Sequence, residues 1–379
     1  MLNFYEFFAG GGMARAGLGS RWQCLFANDI DEKKAASYRE NFRGGKDLLV
    51  RDVSKISTSE IPGIADLIWA SFPCQDLSVA GMGAGLKGSR SGTFWPFWDC
   101  VESLKSEGRN PALIVLENVC GALTSHDGKD FRSLIGALRS TGYLTGAVVI
   151  DAALFLPHSR PRLFIVGVRG DLKIHSDLLC NQPQQPFHTP AVITAFDGLS
   201  PADKAAWLWW FIPTPPRRQS NFSDLIEENV CWNSEAQTEA LLGMMSPVNL
   251  AKVKAAQKFG SPMVGTIYKR TRISPTGNKT QRAEVRFDDL AGCLRTPGGG
   301  SSRQSILVVK GNKVRSRLLS PREAARLMGL PDTYVLPDNY NDAYHLMGDG
   351  VAVPVVGHIS NYILEPLLKE IDRTTVCAA

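Results

Sequence analysis

The chain has 379 residues, 44% hydrophobic and 21% charged, an ordinary globular composition at a length that suits two domains, or three. A core of that size needs no staples, and no apolar stretch reads as long enough to cross a membrane, which argues against a membrane protein or a disulfide-built scaffold. The net charge of +5 is unevenly spread: residues 251–320 carry fifteen Lys and Arg against three Asp and Glu, a local +12, while the remaining residues carry 27 against 34, or −7.

The N-terminus, Met-Leu-Asn-Phe-Tyr-Glu-Phe-Phe, has no basic region ahead of its apolar run and meets glycines too soon for a secretory signal. Cysteines stand at 24, 74, 100, 120, 180, 231, 293 and 377, with no CxxC pair among them. They read as reduced thiols of a cytoplasmic protein, and a metal site is not expected.

Seven short apolar runs follow one another in the first 170 residues: LNFYEFFA, CLFAND, KDLLVRD, ADLIWASFP, ALIVLEN, LTGAVVID and RLFIVGV. Continuous apolar runs of this length fit strands covered on both faces. Helical patterns lie between them, at residues 32–42 and 131–140 for example. The alternation predicts a doubly wound, mainly parallel α/β sheet, in which ligands bind beyond the carboxyl ends of the strands. Those ends carry Gly10-Gly11-Gly12, Asp29, Asp52, Pro73-Cys74-Gln75 and Glu117-Asn118.

After Arg169 prolines cluster and the rhythm is lost, so an irregular, smaller second domain is expected. WLWWF at 207–211 reads as a buried cluster or a partner contact rather than a base-stacking surface. From Ser320 a helix is predicted, with Ser320 as N-cap, Pro321 at N1 and Glu323 at N3. A last helix, residues 354–371, is expected to pack back on the first domain. The division predicted is 1–172 with 340–379 as one domain and 173–339 as a second.

Three glycines between a strand and a helix let a ligand approach the backbone closely. Asp29 is placed to accept from ribose hydroxyls, and Asp52 to face an adenine amine. The loop lacks the full GxGxxG spacing, which disfavours a pyrophosphate and favours S-adenosylmethionine over NAD. A tight turn without any ligand is the structural alternative. Cys74 follows Pro73 at a strand end and is a candidate nucleophile, whereas Cys24 and Cys100, among apolar and aromatic neighbours, read as packing residues. Glu117 ends the adjacent strand and is a candidate acid or hydrogen-bond partner. Arg160 and Arg162 in HSRPR, two apart on an extended chain, are expected to point the same way and grip an oxygen. The basic 251–320 segment suggests a polyanion.

FAGGG, NDID, PCQ, ENV and RPR, then RLLSPREAARLMGLPDTY at 317–334 and GDGVAVP at 348–354, resemble in order and spacing the cytosine-C5 DNA methyltransferases of the bacterial modification type. The resemblance covers residues 1–170 and 317–365, with LRTPGGG similar to the family's recognition region. It implies S-adenosyl-L-methionine as cofactor, double-stranded DNA as partner, restriction-modification as the setting and a monomer. It also implies that 1–172 with 340–379 is the catalytic, cofactor-binding domain and 173–339 the target-recognition domain. Cys74 matches the nucleophile that adds to cytosine C6, and Glu117 the acid at N3 and the exocyclic amine. Arg162 matches the arginine at O2, with Arg160 in support. Phe8, Ala9, Gly10, Gly11, Gly12, Asp29, Ile30, Asp52, Val53, Pro73, Asp349, Gly350 and Val351 match the cofactor site. The DNA-contacting candidates are Gln75, Ser78, Lys87, Arg90, Arg295, Thr296 and Arg303, the first four on a glycine-rich loop able to close over a flipped base. Asp349, His158 and Met13 depart from the Asn, Gln and Gly frequent in the family. Transfer RNA cytosine methyltransferases share the motifs. A silent DNA-binding relative and a nicotinamide oxidoreductase are the other readings.

Overall fold

The computed structural model describes residues 1–73, 91–273, 279–295 and 303–369, without the side chains of residues 91 and 272. Two compact units divide them. The first comprises residues 1–151, 161–216 and 350 onward, and the second residues 152–160 and 217–349.

The first unit is built on seven strands: β1 (Leu2–Phe7), β2 (Trp22–Asp29), β3 (Leu48–Val50), β4 (Leu67–Ala70), β5 (Leu113–Val119), β6 (Tyr143–Asp151) and β7 (Pro161–Arg169). They match the seven apolar runs read from the sequence. The order is β3-β2-β1-β4-β5-β7-β6, all neighbours pairing in parallel except that β7 runs antiparallel between β5 and β6. The order reverses between β1 and β4, so a crevice is expected outside the carboxyl ends there. Because β7 is reversed, its beginning, and not its end, lies level with the ends of β5 and β6: Arg162 pairs with Val119 and Ile150.

Helices α1 (Met13–Leu18), α2 (Glu32–Asn41), α3 (Phe94–Ser106), α4 (Lys129–Ser140), α5 (Pro190–Asp197) and α6 (Pro201–Ala205) belong to this unit. Alternation along β1 sends Tyr5 and Phe7 into one core layer with Phe94, Phe97, Trp98, Phe131 and Leu134. Glu6 faces the other way, toward α1, with its Oε1 accepting from the Arg15 amide.

The aromatic run joins this same core. Trp207 and Trp210 are buried, Trp210 donates to the Val166 carbonyl, and residues 206–208 bond along the edge of β6 through Thr145. Residues 173–216 therefore pack with the first unit, although the sequence placed them at the start of the second domain.

The second unit holds an antiparallel sheet ordered β11-β10-β8-β9, from β8 (Met263–Ile273), β9 (Lys279–Arg286), β10 (Ser305–Lys310) and β11 (Lys313–Leu318). Helices α7 (Glu235–Gly243) and α8 (Pro247–Gln257), with Met245 between them, cover one face through Leu241, Met245, Val253 and Ala256. This is more regular than the expected irregular domain. The prolines that prompted that expectation lie upstream, and the strands carry too many basic residues to show an apolar alternation.

Helix α9 (Pro321–Leu327) begins with the predicted box: Ser320 accepts from the Glu323 amide and Glu323 from the Ser320 amide. Helices α10 (Tyr340–Asp349) and α11 (Val353–Ile359) follow, α10 in the second unit and α11 in the first. α11 packs on α1 as expected, close enough that a Cβ at Gly17 would sit 2.4 Å from Val356 Cβ. Tyr340–Lys369 does have the length and apolarity of a membrane span, contrary to the reading of the sequence. Yet 67% of its apolar window is buried inside the protein, as in the core helix of a globular chain.

Candidate active site

The first unit gathers its polar strand ends on one edge of the sheet. After β1 the chain turns through Phe8, held at φ 60°, a left-handed conformation costly for a non-glycine residue and characteristic of functional sites. Gly10 follows at φ 54°, where a Cβ would meet nothing within 4 Å, so open space lies in front of the loop. Ala9 donates to the Asn28 carbonyl at 2.8 Å and Gly10 to Asp29 Oδ2 at 2.7 Å.

Asp29 is 7% exposed. Its Oδ1 accepts from the Asp31 amide at 2.8 Å, so one carboxylate ties the glycine loop to the start of α2. Burial pushes this carboxyl above its usual range, against the pull of Lys34 and the two amides. Ile30, beside it, leaves 67% of its surface exposed, an apolar face turned outward among the described residues.

Asp52 caps the short turn Val53–Lys55, accepting from the Ser54 amide at 2.9 Å and hydroxyl at 2.8 Å. Those bonds hold its carboxyl below the usual range. Val53 is buried and lines a cleft of about 260 Å³ with Ser54, Pro96, Asp99 and Ser103. Reasoning from the sequence missed Asn28: its buried amide donates to the Leu49 and Arg51 carbonyls, fixing the chain on which Asp52 stands. A buried Asn at a strand end, next to an expected ligand, is the signal that was present.

Beyond β4, Phe72 is buried against Phe94, ring centroids 5.2 Å apart, and Pro73 follows. Cys74, Gln75, Ser78, Lys87, Arg90 and Thr296 lie outside the described residues. Asn118, also without a role in the sequence reading, donates to the Phe72 carbonyl at 3.4 Å. It thereby ties the segment entering Cys74 to the end of β5.

Glu117 is 6% exposed, and Arg162 Nε stands 3.3 Å from its Oε1. The reversed strand β7 makes this pair possible by bringing its first turn level with the end of β5. Cys120 is a second thiol near the pair, but burial raises it and makes it a poor nucleophile. Cys24 and Cys100 are buried and raised by desolvation, Cys100 to about 11, as packing residues would be.

Arg160 does not join Arg162. It belongs to the second unit, is 1% exposed, and donates to the carbonyls of Leu294 at 3.0 Å and Gly348 at 2.6 Å. The rule that alternate residues share a side holds only within a strand, and β7 begins at Pro161. Asp349 is exposed in the second unit, while Gly350 and the buried Val351 belong to the first. In the second unit Arg295 is exposed, and Arg303 bonds Asn341 at 2.5 Å and lies over the Tyr340 ring.

A doubly wound sheet with a strained glycine loop, two acids at successive strand ends and a buried glutamate–arginine pair defines an α/β enzyme of the methyltransferase type. The family description C-5 cytosine-specific DNA methylase matches residues 2–365, and the chain belongs to that family. It is thus a DNA cytosine-C5 methyltransferase, whose family implies S-adenosylmethionine and DNA. Among its relatives, Type II methyltransferase M.HpaII of Haemophilus parainfluenzae is 28% identical, covering 96% of this chain and 89% of its own. Type II methyltransferase M.Bsp6I of Bacillus sp. (strain RFL6) is 26% identical, covering 97% and 100%. Similar solved structures include S. pombe Dnmt2 methyltransferase (TM-score 0.58, 17% identity, covering 97% of this chain and 99% of that one) and a prophage-encoded putative DNA modification methyltransferase of E. coli (0.55, 19%, 97% and 100%). At such identity these support the fold.

Proposed function

We propose that the protein methylates C5 of a cytosine flipped out of a short specific sequence in duplex DNA, through a covalent bond between Cys74 and C6. The observation that carries this reading is the buried Glu117–Arg162 pair at the sheet edge, one strand from Phe72 and Pro73. Cytosine C5 is a poor nucleophile until something adds at C6. In this reading Glu117 engages N3 and the exocyclic amine, Arg162 engages O2, and the ring is polarised so that the Cys74 thiolate adds to C6. C5 acquires the methyl group, loses its proton to a general base, and the C6–S bond breaks to release 5-methylcytosine. These atoms are out of reach in a stacked duplex, which requires base flipping.

S-adenosyl-L-methionine held beside the glycine loop would supply the methyl group and depart as the thioether S-adenosylhomocysteine. The residues suit it: Gly10 leaves room for a ligand, Asp29 suits ribose hydroxyls, Ile30 offers an apolar face for a purine, and Asp52 keeps one carboxylate oxygen for the adenine edge. Phe8, Ala9, Gly11, Gly12, Val53, Pro73, Asp349, Gly350 and Val351 complete the proposed cofactor site. The glycine-rich loop with Gln75, Ser78, Lys87 and Arg90 closes on DNA. The second unit reads the target through Arg295, Thr296 and Arg303. The protein acts as a monomer.

Bisulfite sequencing of plasmid DNA from cells lacking cytosine methylation, expressing this chain, tests the reading. Protection of one cytosine in a recurring short sequence is expected. Soluble protein that binds S-adenosylmethionine and protects no site overturns a DNA substrate in favour of RNA or a silent relative.

A further inference from the structure

Within the second unit, residues 157–160 run parallel to residues 291–294. The Ala291 amide donates to the Pro157 carbonyl at 2.8 Å, and the Ser159 amide to the Ala291 carbonyl at 3.0 Å. Two buried side chains extend this seam. His158, 0% exposed, accepts from the Leu294 amide at Nε2 (3.3 Å) and meets the Leu327 carbonyl at Nδ1 (2.9 Å). A carbonyl only accepts, so Nδ1 carries the proton and Nε2 is left as acceptor. Arg160 bonds the other polar group of the same residue, the Leu294 carbonyl, and also reaches the Cys293 sulfur at 3.6 Å.

Leu294 therefore has both backbone polar groups held by side chains, in a place where water does not reach: it is 1% exposed. Two successive buried peptide groups, each held by a side chain, have little freedom to shift, since leaving either polar group unpaired is costly. The next residue, Arg295, is exposed and is the second of the LRTPGGG stretch, which resembles the family's recognition region. Base readout by bidentate side chains depends on fixed geometry at their root.

From this seam we infer that His158 and Arg160 are positioning residues for target recognition: they lock Ala291–Leu294 so that Arg295 addresses duplex DNA from one fixed backbone. The inference rests on the DNA-methyltransferase reading. It also gives Arg160 a place other than the cytosine pocket.

The test uses His158, because Arg160 also holds the Gly348 carbonyl next to a proposed cofactor residue. Gln has one donor and one acceptor at its tip, as neutral histidine does, whereas Ala and Leu have neither. Once bisulfite sequencing has given the site of the wild type, kcat/KM is measured on that site and on duplexes altered at one base pair. His158→Ala and His158→Leu are expected to lower the ratio between the two at least tenfold, with S-adenosylmethionine affinity unchanged, and His158→Gln to keep the ratio within about twofold of wild type. A folded Ala or Leu variant with wild-type discrimination overturns the inference. So does a Gln variant that binds cofactor but discriminates tenfold less well, and this arm decides the matter if the apolar variants do not fold. A wild-type protein that methylates no DNA overturns the functional reading instead, before any ratio exists.

Discussion

Glu117 and Arg162 lie 45 positions apart in the chain and meet because β7 is reversed. General acid and electrostatic groups of this kind typically supply 10²–10⁴-fold each. Glu117→Gln and Arg162→Ala are therefore expected to lower kcat by about 10²-fold or more, with S-adenosylmethionine affinity unchanged in equilibrium binding. Near-wild-type turnover by either would remove the pair from the reaction. Cys74→Ser is expected to bind DNA and cofactor yet lose most methyl transfer, and to form no adduct resistant to denaturation. Glu6 makes a separate prediction. It is buried with one carboxylate oxygen unpartnered among the described residues, and desolvation pushes it up to about 8. The folded state thus holds a proton that the unfolded chain releases near pH 4.5. The stability tied to that proton is present below pH 4.5 and is lost as the pH rises toward 8. Melting curves of Glu6→Gln should match wild type near pH 4.5 and lie above it near pH 8. Parallel curves across that range would show that Glu6 does not titrate there.

At the scale of elements, the β8–β9 pair continues past β10, which bonds only to residues 263–267 of β8. Past the bridge between Met245 and Ala283, Arg270–Ile273 and Lys279–Arg282 pair with each other alone among the described residues, and Lys269, Arg270, Lys279 and Arg282 are exposed. Arg270 stands directly opposite Arg282, a like-charge pair that costs stability, and among the described residues only Arg270 of the two has an ion partner, Glu284. A phosphate backbone would offset that repulsion. Arg282→Ala is expected to weaken DNA binding on all sequences alike and to reduce the slope of log K against log salt by about 1. An unchanged slope would place the DNA elsewhere. The α1–α11 contact has a similar point of failure. A Cβ at Gly17 would lie 2.4 Å from Val356 and 2.6 Å from the Val353 carbonyl. Gly17→Ala should cost about 1–3 kcal/mol, read as a lowered denaturation midpoint with unchanged slope.

Across the whole molecule, the basic residues of the 251–320 segment fall in the second unit and the polar strand ends in the first. If the second unit reads the target, replacing residues 217–349 with the corresponding part of a relative of different specificity should move methylation to that relative's site. An active chimera that keeps its original site would locate recognition in the first unit. The seven strands, their alternation with helices, the capping box at Ser320 and the candidate residues at strand ends were legible in the chain because each is a local signal: an apolar run, a cap, a motif of adjacent residues. Three things were not legible, because each depends on distant segments meeting. The reversal of β7 decides that Arg162 faces Glu117. The pairing of residues 157–160 with 291–294 sends Arg160 to Leu294 and Gly348 rather than to its neighbour's site. The edge contacts of residues 206–208 with β6 draw the tryptophan-rich stretch into the first unit. Sequence alone marked the family resemblance and the residues that are candidates for its chemistry. Packing of remote segments, which no local pattern encodes, decided which of those residues stand together.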